Sequence, residues 1–177
     1  MSLYKAYMDE IKEREKIGLS AKPIDDGELT KEIVLRIKDK NNSERNNALN
    51  FLIYNISPGT TASAKIKALF LKEIITGEVI LEEITASFAL KLLSHMKGGP
   101  SVDILLDLTL GENKLIAKES AEILKSQIFL YKHDLDRLLE AFKNGNETAK
   151  EVLLSYSKAE FFTNLPNIKE EIKVVTY

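Results

Sequence analysis

Apolar residues recur at three- and four-residue steps along most of this 177-residue chain, and glycine, proline or a short polar run interrupts each stretch. That period puts the apolar side chains on one face of an α-helix and excludes the strict alternation of a half-buried strand. Tyr4, Tyr7, Met8 and Ile11 mark a first helix that Gly18 ends. The Met-Ser-Leu before it reads as an expression remnant. Leu29, Ile33 and Ile37 mark a second helix, capped by Asp25 or Asp26. Ser43 is the expected cap of a third, whose face is Ala48, Leu49, Leu52 and Ile56.

Pro58 and Gly59 stop that helix, and Thr60 or Thr61 caps the next, with Ile66, Leu69, Phe70 and Ile74 as its stripe and Gly77 as its end. Leu81, Ile84, Phe88 and Leu92 follow. A short helix runs from about Ser101 to Leu110, closed by Gly111. Ala117, Ala121, Leu124 and Ile128 form another face. Leu135, Leu138, Leu139 and Phe142 form the next, ended by Gly145. Asn146 caps a last helix with Ala149, Val152, Leu153 and Tyr156. About nine helices with short links predict an all-α fold of antiparallel helix pairs, in the manner of a HEAT-like α-solenoid or superhelix. No repeat of fixed sequence period accompanies them, and an irregular bundle is the alternative.

The C-terminal wording changes. After Pro166, "IKEEIKVVTY" alternates in the manner of a strand, which needs a partner sheet. The expected organisation is a helical domain over 1–165, then 166–177 as linker and start of a further, truncated domain.

Composition removes most chemistries. With no cysteine the chain offers no disulfide, thiolate nucleophile, thiolate zinc site or iron–sulfur ligand. Two histidines, His95 and His133, are too few for most histidine metal sites. A net charge of −2 supplies no global field for nucleic acid or an anionic membrane. No apolar run approaches the roughly 18 residues of a membrane span, and no signal peptide opens the chain. A cytoplasmic protein without a membrane partner is expected.

Four features invite a functional reading. "LLSHMKGGPSVDILLDL" (92–108) joins a histidine to a glycine pair, but the glycines follow a helix and no Gly-Lys-Ser/Thr comes after. The stretch predicts a stop and restart instead: Gly98 and Gly99 for backbone freedom, Pro100 as breaker, Ser101 as cap. His133 beside Asp134 could orient an imidazole for a small enzyme, yet no nucleophile is marked for it. Lys65, Lys67, Lys72 and Lys91 are candidates for a local basic surface, the basis of an alternative reading as a nucleic-acid-binding helical repeat. Phe161 and Phe162, in "SKAEFFTNLP" (157–166), are candidates for an inter-domain interface.

Several stretches are more specific than generic helices. "YMDEIKEREKIGL" (7–19), "SPGTTASAKIKALFLKEIITGE" (57–78), "LLSHMKGGPSVDILLDL" (92–108) and "SYSKAEFFTNLPNI" (155–168) resemble, in order and spacing, the N-terminal region of the bacterial aconitase B family. The terminal "IKVVTY" is similar to the strand leading into that family's swivel-like domain. The resemblance implies a HEAT-like module of a longer aconitate hydratase, a hydro-lyase of the tricarboxylic acid cycle that interconverts citrate and isocitrate through cis-aconitate on a [4Fe-4S] cluster. It implies that cluster and substrate residues lie in later domains, so this segment is inactive and holds no catalytic, cofactor or metal residue. The implied partners are the parent's own catalytic domains, whose access it shapes, a second copy in an iron-responsive homodimer, and messenger RNA.

Overall fold

The computed structural model describes residues 2–127 and 130–158. Among them are nine α-helices: α1 (Leu3–Lys16), α2 (Gly27–Lys38), α3 (Arg45–Asn50), α4 (Ala62–Thr76), α5 (Ala86–His95), α6 (Pro100–Thr109), α7 (Lys114–Lys125), α8 (Lys132–Lys143) and α9 (Glu147–Ser157). A π-helical turn, Phe51–Asn55, continues α3. The only β pairing among the described residues is one parallel bridge, Ile24 with Ile56. The fold is all-α, as the periodicity predicts. The strand-like wording after Pro166 lies outside the described residues.

Local chemistry sets most helix ends. The Asp26 carboxylate accepts from the backbone N–H of Glu28 and Leu29, Thr61 from Ala64, and Asn146 from Ala149. These caps answer N–H groups that have no partner inside the helix. Ser2, far from idle, caps α1 by accepting from Lys5. At its other end Gly18 takes φ +73°, its N–H meets the Glu15 carbonyl, and Leu19 reaches back to Arg14. That pair of bonds closes the last turn.

The chain divides into two compact units, Met1–Leu105 and Leu106–Tyr177, with the boundary inside α6. In the first, α2 packs against α1, α3 and α4, and α4 also packs against α5. Its core holds Ile33, Ile37, Leu52, Phe70, Leu71 and Leu93. In the second, α9 packs against both α7 and α8, burying Ala121, Leu124, Leu138, Ala149 and Val152.

Three expectations need correction. Ser43 does not cap α3: Glu44 holds that position without a side-chain bond, and the Asn42 side chain accepts the Glu44 N–H instead. The α4 stripe is turned. Leu69 is 45% exposed, while Ala64, Lys67, Ala68, Leu71 and Ile75 join Phe70 and Ile74 in the interior. A helix packed on two sides buries more than one stripe. Ile56 is buried but not helical, because the π turn delivers it in extended backbone to the bridge with Ile24.

Candidate interaction surfaces

The 96–101 turn is built around one close approach. Met96 ends α5, and then Lys97, Gly98 and Gly99 take φ of +49°, +114° and +53°. A Cβ on Gly99 would stand 2.9 Å from the Gly59 carbonyl oxygen and 3.0 Å from Thr60 Cγ2. The two glycine–proline turns of the first unit therefore touch backbone to backbone, and only glycine fits there. Pro100 is not a breaker but the first residue of α6, where its fixed φ suits a helix start. Ser101 is not the cap either: it is buried within the first turn, and its hydroxyl donates to the Gly98 carbonyl at 2.8 Å. The turn is structural, as its sequence context implies.

Next to the 57–59 stretch lies an open cleft of about 460 Å³, lined by Ser20, Ala21, Pro23, Asn55, Ser57 and Pro58 together with Tyr54 and Ile56. Its wall is the bridge: Ile24 N–H donates to the Asn55 carbonyl at 2.8 Å and Ser57 N–H to the Ile24 carbonyl at 3.3 Å. The Tyr54 ring is 78% exposed beside it.

Behind this wall sits a lysine that periodicity places on the surface. Lys67 is only 5% exposed, and its Nζ donates to the Ile53 carbonyl at 3.2 Å. That carbonyl needs a donor for a local reason. Its five-residue partner would be Pro58, which has no N–H, and the Ser57 N–H is spent on Ile24. Lys67 thus caps the C-terminal end of the α3–π segment, where a cation is favoured. Burial pushes its amine down to about 8. Of the four lysines expected to form a basic surface, Lys65 and Lys91 are exposed, Lys72 is half-buried and Lys67 is inside.

The histidines separate. His95 is exposed in the last turn of α5. His133 is on the surface at the start of α8, with Nε2 3.0 Å from Asp134 Oδ1, and its ring stacks on Tyr131 at 5.8 Å. Asp134 is fully buried, and its Oδ2 accepts the Tyr131 N–H at 2.9 Å. Oδ2 thus makes the reciprocal bond of a helix start, while the buried Oδ1 faces His133. Phe161 and Phe162 lie outside the described residues. What periodicity does not flag is the open side of α8, where Leu139 and Phe142 stay 42% and 40% exposed.

The described residues thus form helices joined by turns built for packing, with several uncovered apolar side chains. Residues 6–162 match the Aconitate B N-terminal domain family. The chain belongs to that family. It is 32% identical over 171 residues to aconitate hydratase B of Helicobacter pylori, covering 97% of this chain but 20% of that protein. The aconitate hydratase B of Escherichia coli is also 32% identical, with 97% and 19% covered, and that of a Synechocystis species is 28% identical over 175 residues, with 99% and 20% covered. The chain spans about a fifth of the length of these relatives. No helix among the described residues is long and apolar enough to cross a membrane.

Proposed function

We propose that this chain is the N-terminal interaction module of an aconitate hydratase, a HEAT-like helical scaffold that docks on the catalytic domains and shapes access to them without performing chemistry itself. One observation carries the reading: nearly the whole chain aligns with only a fifth of proteins named aconitate hydratase B. The parent interconverts citrate and isocitrate through cis-aconitate in the tricarboxylic acid cycle, in the cytoplasm. Its [4Fe-4S] cluster supplies the Lewis acid for that step. A chain without cysteine gives the cluster no thiolate, so its ligands belong to later domains. Phe161 and Phe162 stand where the module would hand over to the rest of the parent. Homodimerisation responsive to iron belongs to the same reading.

The test compares three preparations: the intact parent, the parent lacking residues 1–165, and the chain alone. Following cis-aconitate formation from citrate should show activity in the parent, altered KM or kcat in the truncated protein, and none in the chain alone. Turnover by the chain alone would overturn the assignment. Sedimentation of the chain with and without iron checks self-association, and monomer under both conditions rejects it. The nucleic-acid alternative now has Lys65 and Lys91 as its fully exposed members of the lysine set. Salt-dependent RNA binding lost on reversing those two charges would favour it.

A further inference from the structure

The apolar stripe of α8 is broader than the face that α9 covers. With about 100° between successive residues, Leu139 lies about 40° to one side of Leu135 and Phe142 about 20° to the other. The buried positions of the same helix, Leu138 and Asp134, lie about 60–100° from Leu135, beyond Phe142. Leu135 is half-buried, and Leu139 and Phe142 are each about two-fifths exposed. Lys132, Asp136 and Lys143 border the stripe, and Lys132 pairs with Asp136 at 2.6 Å. An apolar strip with a charged border is the anatomy of an interface, not of a solvated helix.

We infer that the Leu135–Leu139–Phe142 strip of α8 is the surface on which polypeptide beyond residue 177 packs in the intact parent. This rests on the reading of the chain as one module of a longer enzyme. Two observations select that occupant over a second copy. Three partly exposed side chains fall well short of the ~800 Å² per partner that a stable two-chain interface buries. A strip that small suffices only when the partner is tethered, because the tether removes most of the association cost. The tether is at hand: α8 packs on α9, the last described helix, and the relatives carry about four-fifths of their length beyond a segment of this size.

The experiment uses the intact parent and the 177-residue chain, each with Leu139→Gln/Phe142→Gln and, separately, with Lys132→Glu. Limited proteolysis after α9 and sedimentation are read on all of them. The expected result is at least about tenfold faster nicking in the glutamine parent, since burying one Leu or Phe is worth more than a factor of ten. The 177-residue chain should keep its melting temperature and sedimentation, and Lys132→Glu should change neither protein. Unchanged nicking in the glutamine parent overturns the inference. So does a shift of the chain from dimer to monomer, which assigns the strip to a second copy, or its unfolding, which makes the strip core. Loss of the aconitase reading would instead show as absent citrate turnover by unmodified parent, a readout independent of nicking.

Discussion

The two units are held by different means. In Met1–Leu105, side chains reach across long stretches of sequence to meet backbone and one another. The Glu32 carboxylate accepts the N–H groups of Leu3 and Tyr4 at the start of α1. Burial opposes its ionisation, but those two bonds and Arg36 outweigh it and hold the carboxyl below the usual range. The Ser63 hydroxyl donates to the Asp26 carbonyl and touches Thr30, locking α4 to α2 where Gly27 and Ala62 nearly meet. Arg45 grips the Ile37 carbonyl and, bidentately, Glu83. From Leu106 onward the described ties are fewer: Arg137 with Asp107, Lys125 with Glu151, and small apolar faces between α7, α8 and α9. Both units leave large apolar side chains exposed, Ile17, Tyr54 and Ile80 in the first and Leu115, Leu139 and Phe142 in the second, so the contrast lies in the polar anchors of the first.

Substitutions can break or sharpen this contrast. The largest effect should come from Gly99→Val, which meets the Gly59 carbonyl at a left-handed φ. A loss of about 3 kcal/mol or more in denaturant unfolding is expected. A neutral outcome would mean the two turns do not depend on each other.

Next is Lys67. Its folded amine titrates near 8, against the ordinary 10.5 of the unfolded chain. Between those values the unfolded state binds more protons, so stability rises with pH through that window, by roughly 3 kcal/mol at most. Tyr4, pushed up to about 12 by burial and Glu44, acts the other way above pH 10, where the unfolded phenol ionises first. The clean window is therefore pH 8–10. Lys67→Met should flatten it, while leaving the Ile53 carbonyl without its donor. A slope in the methionine variant equal to that of the parent chain would refute the buried amine.

Arg45→Ala should cost about 2 kcal/mol, because it leaves the Ile37 carbonyl without its cation and removes both bonds to Glu83. In the second unit Asn146→Ala should cost only about 1 kcal/mol, the worth of one cap. If the Asn146 change proved the more damaging of these two, the contrast in polar anchoring between the units would be reversed.

Much of this was legible in the residues. Asp26, Thr61 and Asn146 are caps because their side chains meet N–H groups two or three residues away, and Gly18, Gly77 and Gly145 end helices with positive φ. Such bonds close over a few residues, so neighbouring letters suffice to predict them. The family resemblance was legible for a related reason, since it rests on the same punctuation kept in order.

What the tertiary structure alone decided was which side of each helix is interior. The stripe of α4 turned because α2 and α5 both claim it, and the stripe of α8 exceeded the single face that α9 covers. Lys67 could not be recognised as a buried cap, because the carbonyl it answers lies 14 residues away. That carbonyl is orphaned only when Pro58, the π turn and the Ile24 bridge act together. Pro100 and Ser101 both fell inside the first turn of α6, next to the close approach of Gly99 to Gly59. Local hydrogen bonding is written in sequence order; burial depends on which distant surface arrives, and only the folded chain specifies that.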